Sequence, residues 1–139
     1  MTPRVVLDTN VLVAALRSRR GASFAVLSAV GTSAFEVVLT VPLVLEYEAV
    51  LLRPGLVPMS DDDVGVVLDY LCAVGHHQTV HYLWRPRLRD PKDDMVLEAA
   101  VAAGCGAVVT HNVRDFGAAA GVGVEPVTPA TFLHQLRDR

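Results

Sequence analysis

The chain has 139 residues, a hydrophobic share of 52%, a mean hydropathy of +0.40 and a net charge of −3. That length suits one domain around one core, spanning residues 1–139. No apolar stretch approaches the roughly 18–20 residues of a membrane span, which argues against a membrane protein, and the mildly acidic balance lacks the broad basic excess of a protein that coats nucleic acid.

Met1-Thr2-Pro3-Arg4 leads into an apolar run without the core or cleavage site of a signal peptide, so a cytoplasmic protein is expected. Residues 4–8 read as a fully buried strand, Val5, Val6 and Leu7 running straight into Asp8-Thr9-Asn10. Asn10 to about Leu16 reads as a short helix, for which Asp8, Thr9 or Asn10 is available as a cap. Gly21 restarts the chain, and Phe24 to Leu27 with Val30 suggests a second helix. Residues 36–41 form a second strand, and Pro42 opens a helix with Leu43, Val44, Tyr47, Val50 and Leu51 at helical spacing. Glu46 and Glu48 lie within that helix, and Pro54-Gly55 ends it.

Ser60 followed by Asp61, Asp62 and Asp63 is a helix start, with a cap and then acids that favour the positive end of the dipole. Val64, Val67, Leu68 and Leu71 continue that helix to Gly75. Residues 79–83 are expected as a third strand, followed by an Arg- and Pro-rich loop and then Asp90-Pro91-Lys92-Asp93-Asp94. Residues 95–103 form an apolar helix ended by Gly104. Residues 107–110 make a fourth strand and residues 122–125 a fifth, and Thr128-Pro129 opens a last helix. Strands alternating with helices imply parallel pairing through right-handed crossovers. The expected architecture is a three-layer α/β/α domain around a mostly parallel sheet of about five strands.

Cys72 and Cys105 lie far apart in apolar surroundings and read as reduced core residues rather than a disulfide or a metal site. Of the twelve basic residues, all but Lys92 are arginines. Arg17, Arg19 and Arg20 cluster, as do Arg85, Arg87, Arg89 and Lys92. These are either solvated loops or contacts to phosphate, for which Arg is the better bidentate ligand.

Four acids follow strands or open helices: Asp8, Glu46, Asp93 and Asp115. In an open parallel sheet those positions share the edge where ligands bind. Carboxylates gathered there repel one another, and a divalent cation with a preference for oxygen, Mg²⁺ or Mn²⁺, relieves the repulsion. Each acid also has a plainer role: Asp8 or Asp115 as a cap, Glu46 as a surface residue. Asp90, Asp93 and Asp94 compete, one to cap the helix and one to reach a metal. Thr9, Asn10, Thr110 and Asn112 are either turn formers or partners that orient carboxylates and water. His111 is the only histidine beside this group, and the chain has no nucleophile-elbow, Walker or dinucleotide fingerprint.

Val-Leu-Asp-Thr-Asn-Val at 6–11, Leu-Glu-Tyr-Glu-Ala-Val-Leu at 45–51, Asp-Pro-Lys-Asp-Asp at 90–94 and Val-Thr-His-Asn-Val-Arg-Asp-Phe at 109–116 resemble the PIN domain family, especially VapC-type toxins. Pro-Ala-Thr-Phe-Leu at 129–133 resembles the family's closing helix. The resemblance implies a ribonuclease dependent on Mg²⁺ or Mn²⁺. Asp8, Glu46 and Asp93 would be its central acids and Asp115 the fourth, with Asp8, Asp93 and Asp115 on the metal. It favours Asp93 over Asp94, because the family places that acid three residues after the Asp-Pro aspartate. Asn112 stands where many relatives carry another Asp, which weakens a second metal site.

The resemblance further implies a small cognate antitoxin as partner and a homodimer. The leading expectation is an endoribonuclease, the toxin of a type II toxin–antitoxin pair, with Arg17, Arg85, Arg87, Arg89 and Lys92 on RNA phosphates. The alternative is a PIN-like module that binds RNA or protein with little turnover. A phospho-acceptor receiver domain expects a Lys near the last strands, whereas Lys92 lies before the fourth.

Overall fold

A computed structural model describes residues 2–80 and 90–138. Its strands are β1 (Arg4–Leu7), β2 (Glu36–Leu39), β3 (His76–His77), β4 (Ala107–Val109) and β5 (Glu125–Val127). Its helices are α1 (Thr9–Arg17), α2 (Ala22–Ala29), α3 (Val41–Leu51), α4 (Asp61–Val74), α5 (Pro91–Ala102) and α6 (Pro129–Arg137), with a 3-10 segment over Val113–Val122. The five strands form one sheet in the order β3-β2-β1-β4-β5, with every neighbouring pair parallel. The expectation of a mostly parallel sheet therefore becomes an all-parallel one.

Successive strand residues point to opposite faces. Val5, Val6 and Leu7 are all buried, as are Val37, Val38 and Leu39, so both faces of the sheet are covered and the domain has three layers. Among the described residues, α5 and the 3-10 segment pack together, while α2 packs on α1 and α6, and α3 on α1 and α4. Phe35 and Phe132 meet edge-to-face at 5.1 Å, tying α6 to the start of β2.

The first and fourth strands each stop one residue short of expectation, at Leu7 and Val109, and Arg4 is exposed; three other strands differ further. The second strand stops at Leu39, because the Thr40 hydroxyl accepts from the Leu43 amide and caps α3, drawing Val41 into the helix. The third strand lies at His76–His77, not at 79–83. Those two residues pair with Val38 and Leu39 immediately after Gly75, leaving Thr79 and Val80 outside the strand, and residues 81–83 lie outside the described region. Histidines carry little β signature, and only the pairing with β2 makes them a strand. The fifth strand lies at Glu125–Val127, not at 122–125. The 3-10 segment runs on to Val122 and Gly123 turns the chain with φ +77°, which delays the strand. Pro126 is tolerated because β5 is an edge strand.

Ser60 caps α4 by accepting from the Asp63 amide, and Asp61, Asp62 and Asp63 are all exposed, so this run is a helix start. Cys72 is half-buried and Cys105 buried, both as free thiols, and burial pushes the Cys105 thiol up to about 12.

Candidate active site

The site grows from the centre of the sheet. β1 pairs with β2 on one side and β4 on the other, so the chain leaves β1 at a point where the order of strands reverses. Asp8 is the first residue past β1. Its amide donates to the Val109 carbonyl at 2.9 Å, and its Oδ2 accepts from the Thr110 hydroxyl at 2.7 Å. It occupies the cap position of α1, yet its side chain makes no capping hydrogen bond there and is held by Thr110 and the Thr9 amide instead. With Asp8 7% exposed, burial raises its pKa. The bond from Thr110 and one from the Thr9 amide oppose the rise, the charge of Asp90 adds to it, and His111 opposes it.

Thr110 is fully buried and relays order in two directions. It donates to Asp8, and its Oγ1 accepts from the Asn112 amide at 3.0 Å. The next residue, His111, donates its amide to the Asn10 Oδ1 at 3.3 Å, and its Nε2 lies 2.8 Å from the Ser23 hydroxyl on α2. The ends of β1 and β4 and the start of α2 are thus pinned together.

Three neighbouring acids at the start of α5 divide the work. Asp90 caps the helix by accepting from the Lys92 amide at 2.9 Å. Asp94 is buried and lines a cavity of about 480 Å³ with Thr40 and Glu98. Asp93, between them, carries a carboxyl pushed up to about 6, first by partial burial and then by the charges of Asp8, Asp90, Asp115 and Asp94. Residues 8, 93 and 115, far apart in the chain, are therefore close enough for their charges to act on one group. Asp115 is exposed in the first turn of the 3-10 segment, its amide bonded to the Asn112 carbonyl.

Glu46 is brought to the same neighbourhood by a different contact. Its Oε1 lies 3.6 Å from the Lys92 ammonium, with only 17% of the Glu46 side chain exposed. Lys92 is thus within ion-pair reach of an acid while more than half of its side chain stays exposed. Arg85, Arg87 and Arg89 lie outside the described residues. Arg17 is exposed at the end of α1.

Tyr47 was legible only as part of the apolar stripe of α3. It is buried, and its hydroxyl donates to the carbonyl of Leu7, the residue before Asp8. Burial, then the charge of Asp8, pushes its phenol above its usual range. A buried tyrosine must find a partner for its hydroxyl, and that rule was the available signal. Ser23 carried no comparable signal in the sequence.

All donors gathered here are oxygens, and the raised Asp93 marks an excess of negative charge. That combination fits a hard divalent cation such as Mg²⁺ or Mn²⁺. Among the described residues, no three His, Cys, Asp or Glu side chains close into a ready-made cage. The fit survives because Mg²⁺ keeps several waters and takes only one or two carboxylates directly.

No curated protein matches the chain. The sequence profile of the PIN domain matches residues 4–114, from the first residue of β1 to just past Asn112. PIN domains are generally metal-dependent nucleases that bind divalent ions. With most of its length matched and its all-parallel sheet ending in these acids, the chain belongs to the PIN domain family.

Proposed function

We propose that this PIN domain is an endoribonuclease dependent on Mg²⁺ or Mn²⁺, acting as the toxin of a type II toxin–antitoxin pair. The observation that carries the nuclease reading is the gathering of Asp8, Asp90 and Asp115 around Asp93 at the ends of β1 and β4 and the start of α5, where burial first and then those charges raise the Asp93 carboxyl. In this reading Asp8, Asp93 and Asp115 hold the ion, and Glu46 completes the acidic wall. A divalent cation there supplies activation of a water and neutralises phosphate charge. The protein's own part is positional. Thr110 fixes the Asp8 carboxylate, Asn10 and Asn112 hold the turn after β4, and Asp90 frees Asp93 by taking the cap of α5. One of the acids accepts the proton of the attacking water.

Loss of RNA cleavage in Asp8→Asn and Asp93→Asn, with wild type active in Mg²⁺ or Mn²⁺, is the expected result. Equal cleavage by all three overturns the mechanism. The toxin role predicts that a small acid-site-covering antitoxin co-purifies with the chain. The homodimer is supported by exposed apolar side chains on two packed helices, Val41 and Leu45 on α3 and Val66, Tyr70 and Val74 on α4. The ion pair of Glu46 with Lys92 favours a second reading, a binding module with little turnover. Absence of calorimetric heat at millimolar Mg²⁺ or Mn²⁺ would select it.

A further inference from the structure

A groove of about 650 Å³ runs along α1, between that helix and the chain leaving α3. Its inner end is made by Thr9 and Asn10, and Asn10 is the residue whose side chain holds the His111 amide beside the acids. Its floor is apolar, and Arg17 and Arg53 line it as well. Both arginines are exposed, and neither has an ion-pair partner among the described residues. From Asn10 to Arg17 the groove follows α1 for about 10 Å.

Two other large cavities are less suited to an anionic strand. One lies at the opposite, N-terminal ends of the strands, where Arg4 is already paired with Glu36 at 2.7 Å. The other carries Asp94 and Glu98 and, among the described residues, no Arg or Lys. Of these three, and among the described residues, the groove on α1 combines unpaired cations, an apolar floor and a wall shared with the acids.

We infer that this groove is the subsite for single-stranded RNA flanking the cut, with bases over Val13, Ala14, Val50 and Leu56 and phosphates on Arg17 and Arg53. The inference rests on the ribonuclease reading and names where its substrate lies. Unpaired bases can be splayed onto apolar surface and onto guanidinium planes, which the bases of a duplex cannot. Guanidinium groups bind phosphate in a bidentate manner, fixing the strand's position without reading its sequence. Arg53 thereby joins the substrate-binding residues, a role its sequence position after α3 did not suggest.

The test measures binding of a fluorescein-labelled short single-stranded RNA by the full chain carrying Asp8→Asn. Adding Arg53→Ala should weaken binding roughly three- to tenfold and lower the slope of affinity against salt by about one. Adding Ala14→Trp, which fills the floor, should weaken binding with the salt slope kept. Arg53→Lys should restore the salt slope, and Arg137→Ala, at the end of α6, should change nothing. RNA affinity unchanged from the Asp8→Asn parent in both Arg53→Ala and Ala14→Trp overturns the inference, as does a loss seen only when a labelled polyglutamate peptide replaces the RNA, which would assign the groove to an acidic protein segment. The nuclease reading fails separately, on cleavage by Asp8→Asn, and the binding comparison stands whichever way that falls.

Discussion

At the scale of single residues, the Asp93 carboxyl makes a testable statement about stability. Its pKa in the folded chain is about 6, above the ordinary 3.8. Below the ordinary value the group is protonated in both states and costs nothing. As pH rises toward about 6, the unfolded chain ionises freely while the folded chain resists, so the metal-free fold loses stability across that window. Asp93→Asn should therefore melt higher than wild type near pH 7 in chelator, with the gap closing near pH about 4, and Mg²⁺ should raise the wild type more than the variant. A gap independent of pH contradicts the charge crowding. Thr110 gives a second case. Its buried hydroxyl is the donor to Asp8, so Thr110→Val leaves a buried carboxylate oxygen short of a donor and should cost about 1–3 kcal/mol in denaturant titration. Thr110→Ser should recover most of that loss.

At the scale of elements, most helix starts were legible because their chemistry is local, the cap at Thr40 being an exception because it stood inside the expected second strand. Thr40, Ser60, Asp90 and Thr128 each accept from an amide in the first turn of the helix they precede, and Pro42, Pro91 and Pro129 sit in first turns where no amide is missed. Strands β3 and β5 were misplaced because each is an edge strand, held by one neighbour rather than by a pattern of its own. The acids were legible as ends of strands and helices, whereas the division of labour among Asp90, Asp93 and Asp94 depended on where α5 begins. Tyr47 joins elements in a way no periodicity reveals, its hydroxyl on α3 bonded to the last carbonyl of β1. Tyr47→Phe should lower stability by about 1–3 kcal/mol, since the Leu7 carbonyl loses its side-chain donor inside the core. A midpoint of chemical unfolding unchanged from wild type would show that water replaces the bond.

At the scale of the whole molecule, the core is continuous from β1 through both faces, and α6 closes it by setting Phe132 against Phe35. Phe132→Ala should cost about 3–5 kcal/mol, read as a fall in thermal midpoint, because both partners lie in the core. A shift smaller than 1 kcal/mol, about the scale of a surface change, would mean that α6 docks by other contacts. The central place of β1 also has a temporal consequence. Asp8 receives its amide partner and its hydroxyl partner from Val109 and Thr110, residues made about a hundred positions later. During synthesis the first acid exists long before the strand that positions it, and β1 lacks its β4 neighbour until about a hundred further residues have been made. Such distant pairings form late and together. A ribosome making this protein therefore carries a chain whose acidic edge stays unassembled until β4 has been made, so nothing that needs Asp8 held by Thr110 can begin before then.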